Sequence, residues 1–406
     1  MKRSLYWTKT CFLAKIGSMQ NLHKTRVEVS ARALGHNIKG FKSILGGAKM
    51  MAVVKSNAYG HGLAETAKIA DKNGVAWFGV DNVDEGLALR KAGIKKPILV
   101  LGYTLNSRLR DCVDNSLSFM AYNQETVKAL RSLKLKPLGV HPSKTAKAAY
   151  VHLKIETGTT RQGIAGKQLL DLAKSLLKVP GVVIEGASTH YANIEDTTDS
   201  SYAELQLKRY QENLDNLIRI GIDPPWKHTA CSAAAILYPE TYFNLARVGI
   251  AMYGLWPSKE TQAVAKREKR LIDLEPVLTW KTVIAQIKSV KKNTPVSYGL
   301  TEKVSRDAKL AVLPIGYWDG YDRRGLSQVG QVLVRGHRCK VVGRICMNMC
   351  VIDVTEVPQA RVEDEVVLLG KQGKDRISAE DLAAKIGTIN YEVVTRINPT
   401  LPRIVV

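Results

Sequence analysis

The sequence has no apolar run long enough to cross a membrane. A spanning helix needs about 18 to 20 apolar residues, and every long apolar run here is interrupted by Lys, Asp or Gly. The six cysteines also lack a paired framework; they are Cys11, Cys112, Cys231, Cys339, Cys346 and Cys350. In a chain of this length, such spacing favours reduced thiols in the cytoplasm. We therefore expect a soluble cytoplasmic protein of 406 residues, large enough for two domains with separate cores.

A metal centre also lacks its usual ligands. Cys346 and Cys350 are close in sequence, but no second Cys or His pair follows at ligand spacing. We expect both to be apolar strand residues, and no metal site.

Acidic residues are scarce, with 37 Asp and Glu against 60 Lys and Arg, for a net charge of +23. Such an excess attracts polyanions, including nucleic acid. However, the densest basic groups, at residues 266–270 and 288–292, lack the interleaved aromatic side chains that stack bases. We interpret the charge as a basic, solvated surface, with nucleic-acid binding kept as a distant alternative.

The first 18 residues carry four basic side chains and one short apolar piece, at residues 11–14. This piece is broken by Lys15 and is shorter than the roughly 7 to 15 apolar residues of a secretory signal. We expect residues 1–18 to be a disordered extension or to precede the true start. Export remains the alternative.

Short apolar runs alternate with amphipathic stretches over residues 19–255, which is typical of repeated βα units and a parallel sheet. The pattern predicts buried strands at residues 75–80, 98–101, 151–155 and 182–184. It predicts one helix over 82–92, ended by Gly93. Another carries Tyr210, Leu214, Leu217 and Ile218 on one face and ends near Gly221.

The pattern changes over residues 256–406, which we expect to form a small, mostly β domain. Residues 256–270 read as a basic connector. Alternation then groups Val283, Ala285 and Ile287 on one face, and short strands follow at 332–334, 340–342 and 366–369. One helix is predicted, over 378–386, with Ser378 and Asp381 in a capping-box-like arrangement.

The most informative segment is MAVVKSNAYGHG, residues 51–62, in which an apolar run delivers Lys55 to a Gly-punctuated loop. A lysine at the carboxyl end of a buried strand can lie in a pocket of low dielectric that disfavours its ammonium form. A neutral lysine can form a Schiff base. The segment resembles the pyridoxal-phosphate lysine motif of alanine racemases.

Further segments match landmarks of the same family in order. They are KIETG (154–158), STHYA (188–192), CSAAA (231–235), NLARVGIAMYG (244–254), VSYG (296–299), PIGYWDG (314–320), GRICM (343–347) and INYEV (389–393). The resemblance implies a closed (β/α)8 barrel of the TIM type followed by a mostly β carboxyl-terminal domain. It also implies pyridoxal 5'-phosphate as cofactor and a homodimer with shared active sites.

The resemblance implies two acid/base groups, as proton exchange at both faces of a Cα requires. Lys55 would hold the cofactor and act as one base. Tyr298, from the second subunit, would be the other, with His190 linking it to Arg247. Arg247 would face the pyridine nitrogen and, because its pKa exceeds about 12, would not readily protonate it. The carbanion would then be short-lived, which favours racemisation over transamination.

The remaining roles carried over by resemblance concern binding. Phosphate contacts match Tyr59, Ser232, Gly249, Ile250 and Tyr391; substrate contacts match Arg161 and the Met347 backbone; entrance residues match Tyr317, Arg323 and Arg344. Lys154 matches a lysine that is carbamylated in some members. An ordinary ammonium beside Glu156 remains the alternative.

Three departures from the family pattern lie near the substrate: Thr159-Thr160 for Met-Gly, Asn348 for Asp, and Cys231 for Asn. The first predicts a backbone less able to adopt unusual dihedral angles before Arg161. We expect interconversion of L- and D-alanine for peptidoglycan. The alternatives are a serine or broad-specificity racemase, or a non-catalytic barrel protein that binds the cofactor. The complete second domain with Tyr298 counts against the last.

Overall fold

The computed structural model describes residues 23–137, 147–270 and 272–406. The expected extension at residues 1–18 lies outside these ranges. The described chain forms two compact units, one of residues 33–58, 66–137, 147–270 and 272–275, the other of residues 23–32, 59–65 and 276–406. No helix in the described ranges is both long and apolar enough to cross a membrane.

The first unit is a nearly closed barrel of eight parallel strands, in the spatial order β8-β7-β6-β5-β4-β3-β2-β9. The strands are β2 (Lys49–Val53), β3 (Trp77–Val80), β4 (Ile98–Val100), β5 (Leu117–Ala121), β6 (Ala149–Lys154), β7 (Val182–Ser188), β8 (Trp226–His228) and β9 (Leu245–Val248), whereas β1 (Arg26–Val29) belongs to the other unit. Backbone bonds from Asn244 to Lys227 and from Arg247 to Ala230 link the last two strands. The predicted barrel class is confirmed.

Helices of the barrel region connect these strands. They are α1 (Ala31–Ile44), α2 (Leu63–Lys72), α3 (Val83–Lys91), α4 (Leu109–Asp114), α5 (Gln124–Ser132), α6 (Gly166–Leu177), α7 (Ser201–Arg219), α8 (Ser232–Leu237) and α9 (Lys259–Arg267). Short 3-10 helices lie at Asn106–Arg108, Pro239–Thr241 and Ile250–Tyr253. Inside the barrel, Met51, Trp77, Leu99, Met120 and Leu245 form one apolar cluster. Strands buried on both faces explain the continuous apolar runs.

Two helix predictions need correction. The buried face of α7 contains Tyr210, Leu214 and Leu217 as expected, but Ile218 is 43% exposed because it lies just past the buried stripe. The basic connector contains α9, whose amino end is capped by the Ser258 side chain accepting from the Thr261 N–H at 2.9 Å. A Ser before an amphipathic stretch is a helix-start signal that outweighed the high charge of this segment.

The second unit is built on a sheet in the order β11-β14-β17-β16-β15-β18-β10-β1-β20, with β19 paired to β18. Its strands are β10 (Leu278–Val283), β11 (Gln286–Val290), β14 (Ala308–Leu313), β15 (Gln331–Val334), β16 (His337–Val342), β17 (Cys350–Asp353), β18 (Glu365–Gln372), β19 (Asp375–Ile377) and β20 (Arg403–Val405), and β12 (Pro295–Val296) pairs separately with β13 (Glu302–Lys303). Its helices are α10 (Arg323–Leu326), α11 (Ala379–Ile386) and α12 (Asn390–Thr395), with 3-10 turns at Tyr298–Leu300 and Tyr317–Asp319.

The mostly β character of this unit and the Ser378–Asp381 capping box of α11 are confirmed. The alternation in β10 was misread, since Trp280, Thr282 and Ile284 are the buried residues. Thr282 can be buried because its hydroxyl forms a hydrogen bond with the Thr25 hydroxyl, at 2.9 Å.

The compact units also differ from the contiguous ranges 19–255 and 256–406. Strand β1 pairs antiparallel with β10 and parallel with β20. Its backbone groups are therefore satisfied by the β-rich sheet.

Candidate active site

The predicted lysine lies at the carboxyl edge of the barrel. Lys55 follows β2 by two residues and opens a turn in which Ser56, Asn57 and Ala58 have φ of 56°, 53° and 53°. Left-handed backbone costs roughly 1–2 kcal/mol per residue. The Glu85 carboxylate stabilises the turn by accepting from the backbone N–H groups of Ser56 at 2.6 Å and Asn57 at 3.4 Å.

The amine of Lys55 is partly exposed to solvent, whereas the sequence predicts an enclosed pocket. Its side chain is 40% exposed, and Nζ lies 3.9 Å from Asp81 Oδ1. This arrangement places a carboxylate and solvent, rather than a low-dielectric wall, near the amine.

Arg247, in β9, is 6% exposed and has a fixed guanidinium. Its NH1 donates to His228 Nδ1 at 2.8 Å and to the His228 carbonyl at 2.7 Å. Its NH2 donates to the carbonyls of Thr189 at 2.7 Å and Thr229 at 2.9 Å. The same nitrogen is 3.4 Å from His190 Nδ1, which agrees with the expected link between Arg247 and His190.

A group of cations lies around Arg247 at the strand ends. Lys154 is 8% exposed, and burial holds its pKa well below the usual range, with Arg247 and Arg161 lowering it further. Burial also lowers the pKa of half-buried His190, helped by Arg247, Lys154, Arg161 and Lys55. Like charges disfavour one another's protonated forms. The site is therefore electrostatically prepared for an anion.

Glu156 supports the loop rather than forming an ion pair with Lys154. Its carboxylate accepts the Gly158 N–H at 2.6 Å. Burial raises its pKa, but backbone N–H bonds from Gly158, Thr160, Thr159 and Arg161 outweigh that effect and lower it.

The backbone before Arg161 also differs from expectation. Thr160 adopts φ of 54°, a left-handed conformation, despite its branched side chain. The predicted restriction was wrong, because the bonds to Glu156 hold the loop in this shape. Arg161 itself is exposed.

Ser232, Gly249 and Ile250 form a cluster of small groups at the ends of β8 and β9. The Ser232 hydroxyl accepts from the N–H groups of Gly249 at 2.9 Å and Ala251 at 3.4 Å. A hydroxyl that accepts in this way can still donate its own proton to an anion. Since β9 pairs with β2, this cluster and Lys55 follow adjacent strands.

The other predicted residues lie in the β-rich unit. Tyr298 is 67% exposed, in a tight turn where Ser297 has φ of 64°. It lines an open cavity of about 710 Å3 together with Tyr317 and Arg323. The Ser297 hydroxyl donates to the Arg344 carbonyl at 2.5 Å, so Arg344 lies beside the same turn.

Met347 is 55% exposed, and its carbonyl accepts from the Trp318 N–H at 3.0 Å. The two remaining tyrosines, Tyr59 and Tyr391, also belong to this unit, with ring centroids 6.2 Å apart. The predicted residues thus form one group at the barrel edge and further groups within the β-rich unit.

Sequence reasoning missed Glu85, the partly buried Glu185, and the completely buried His152 and His228. A usable signal existed for the histidines, because a polar residue in a strand buried on both faces needs a hydrogen-bonding partner. Glu85 resembles an ordinary first-turn acid of α3, where Asn82 is the cap. Its bonds to the Lys55 turn require the folded barrel.

Comparison with known proteins gives the family. Models of the alanine racemase N-terminal and C-terminal domains match residues 29–257 and 277–405. An alanine racemase of Methanococcus maripaludis is 38% identical over 94% of this chain and 98% of its own length. One from Halothermothrix orenii is 40% identical over 93% and 96%, respectively.

Solved structures agree over nearly the whole chain. The alanine racemase of Bacillus anthracis with bound L-Ala-P superposes with a TM-score of 0.86, at 36% identity, covering 95% of each chain. That of Clostridium difficile in complex with cycloserine gives 0.83 at 32% identity, covering 94% of this chain and 96% of its own. By these matches, which span both units, the chain belongs to the alanine racemase family.

Proposed function

We propose that the protein interconverts L- and D-alanine with pyridoxal 5'-phosphate, as a homodimer, and so supplies D-alanine for peptidoglycan. The observation that carries this proposal is the pairing of an amine with an anion-binding edge. Lys55 and the Ser232–Gly249 cluster follow adjacent parallel strands, and Arg247 and Arg161 add positive charge there. Active sites of such barrels lie at this edge.

The donor set fits the cofactor. Ser232 and the backbone of Gly249 and Ile250 suit its phosphate, with Tyr59 and Tyr391 as further phosphate contacts. Lys55 suits its aldehyde, and Arg247 its ring nitrogen. When bound, the cofactor supplies the electron sink that makes the Cα proton acidic.

Arg247 would donate a hydrogen bond without giving up its proton. Burial lowers the pKa of Arg247 from its usual value, but the guanidinium donates to three backbone carbonyls and remains a cation. A proton kept on Arg247 leaves the sink weak. This arrangement favours return of the proton to Cα over loss to side reactions.

Lys55 and Tyr298 would exchange protons at opposite faces of Cα. Tyr298 has an ordinary reference pKa near 10, so its phenolate needs positive neighbours. His190, which accepts from Arg247 at Nδ1, has its other ring nitrogen to offer this tyrosine. Arg161 and the Met347 N–H would bind the substrate carboxylate, and Tyr317, Arg323 and Arg344 would line the entrance.

A partner subunit would bring Tyr298 to the barrel edge. The proposal is supported by the exposure of Tyr298, Leu300, Trp318 and Met347, each above half, on the β-rich unit. Large apolar side chains exposed together are typical of interaction surfaces.

The test combines an assay with a spectrum. Purified protein loaded with cofactor should be yellow and should convert either alanine enantiomer. Lys55→Ala should lose the visible band of the lysine-bound cofactor and at least about a thousandfold in rate, as for loss of a covalent catalytic group. Lys49→Ala, at the exposed start of β2, is the matched control. An unchanged spectrum in Lys55→Ala would refute the assignment. A panel of enantiomers from alanine to serine and lysine would reveal a broader racemase.

A further inference from the structure

A continuous chain of polar side chains crosses the barrel interior from Arg247 to Glu185. Arg247 NH1 is 2.8 Å from His228 Nδ1, and His228 Nε2 is 2.8 Å from His152 Nδ1. His152 Nε2 is 3.3 Å from Glu185 Oε2. The same carboxylate oxygen accepts from the Ser118 hydroxyl at 2.5 Å. Both histidines are completely buried.

The barrel backbone is shaped around this chain. The register between β6 and β7 shifts at Glu185, so that Val151 opposes Ile184 and His152 opposes Gly186. A Cβ on Gly186 would lie 2.2 Å from His152 Nδ1. The bulge and the missing side chain therefore make room for the His152 ring. Trp77 packs edge-on against the same ring, with centroids 5.5 Å apart.

The hydrogen bonds can run in only one direction. A guanidinium can only donate, so His228 Nδ1 must accept, and His228 must carry its proton on Nε2. That proton is donated to His152 Nδ1, which places the His152 proton on Nε2. His152 Nε2–H then donates to the Glu185 carboxylate, which also accepts a hydrogen bond from the Ser118 hydroxyl.

We propose that Glu185, His152 and His228 are positioning residues that hold Arg247 and convey the negative charge of Glu185 to it through two neutral imidazoles of fixed tautomer. This inference rests on the proposed function of Arg247. In the described part of the barrel, the other hydrogen-bond acceptors of Arg247 are backbone carbonyls and His190. The hydrogen-bonded series of His228 and His152 therefore links Arg247 to the Glu185 carboxylate.

The consequence concerns the charge that Arg247 presents. Hydrogen bonds in a chain polarise one another, and the low dielectric of the interior strengthens the effect. With Glu185 ionised, His228 Nδ1 is a better acceptor and Arg247 keeps its proton more firmly. Burial holds the pKa of His228 well below its usual range, and the nearby Arg247 and His152 lower it further. This direction agrees with a neutral ring.

The first test needs no variant and no turnover. NMR of the holoenzyme with isotopically labelled histidine rings should show His152 and His228 with protonated Nε2 and bare Nδ1 near neutral pH. An imidazolium, or a proton on Nδ1, at either residue would overturn the proposal. Racemisation by the same sample is measured separately. A lack of activity would count against the proposed function, but not against the hydrogen-bonded series from Arg247 to Glu185.

The second test removes the charge and keeps the shape. In Glu185→Gln, the Nε2 proton signals of both histidines should move upfield, more at His152 than at His228. The value of kcat should fall about tenfold with KM changed less than about twofold, as for loss of one charge-assisted bond. Glu212→Gln, on the exposed face of α7, is the matched control. An unmoved His228 signal with unchanged kcat would contradict the relay.

Discussion

Buried charge is handled differently in the two units. In the β-rich unit, Arg26 and Glu28 are 7% and 9% exposed and lie 3.0 Å apart. Lys281 lies 2.8 Å from Glu28 and 3.2 Å from Glu365, which also pairs with Arg26 at 2.7 Å. The two cations of this network are thus each paired with both carboxylates, so that its charges balance.

At the barrel edge, Lys154 and Arg247 are equally buried, yet no carboxylate of the described residues lies within ion-pair distance of either. Burial is the largest cause lowering the pKa of both, and it outweighs the effect of Glu156 on Lys154. The charges of the β-rich unit are therefore balanced within the sheet, whereas the cationic groups at the barrel edge are suited to binding an anionic ligand. Perturbed groups clustered in this way are typical of functional sites.

The largest effect should come from the same substitution made in each network. Lys281→Met leaves the buried Glu28 and the partly exposed Glu365 with one cation, and should lower the free energy of unfolding by about 3 kcal/mol. Lys154→Met removes a buried amine whose ammonium form is disfavoured by burial, and should leave stability unchanged or raise it. Denaturant midpoints of the two variants would measure the difference. Equal destabilisation would break the comparison.

A second effect, on pH dependence, belongs to Lys154 alone. The pKa of Lys154 in the folded state lies well below its usual value of 10.5. At pH values between the folded-state pKa and 10.5, the unfolded chain therefore binds one more proton than the folded chain. Its contribution to stability is therefore lost as pH falls, by about 1.4 kcal/mol per pH unit in that window. The stability of the wild type relative to Lys154→Met should fall from about pH 10 to about pH 8. A flat difference would show that Lys154 is protonated in the fold.

Much of this organisation was predictable because it depends on local pattern. The strand before Lys55 follows from an apolar run, and the start of α11 follows from the capping residues Ser378 and Asp381. The chain from Arg247 to Glu185 could not be predicted, because it joins four strands separated by many residues. The surroundings of the Lys55 amine likewise depend on the folded barrel, which brings Asp81 to within 3.9 Å of it.

The smallest effect should come from backbone strain at the barrel edge. Thr160→Gly should raise the free energy of unfolding by about 1 kcal/mol, because φ of 54° costs a branched residue energy that glycine does not lose. Thr301→Gly, where φ is −75°, should instead lower stability. Thermal melts of both variants would check the sign. A loss of stability in Thr160→Gly would mean that the threonine side chain is worth more than the strain.

Complementation tests the central claim most directly, namely that Lys55 and Tyr298 act together from different subunits. Lys55→Ala and Tyr298→Phe should each be inactive as purified chains. Mixed in equal amounts and allowed to exchange subunits, they should regain about a quarter of wild-type activity, because half of the dimers would each contain one intact site. Activity that stays absent after demonstrated exchange would contradict the shared site.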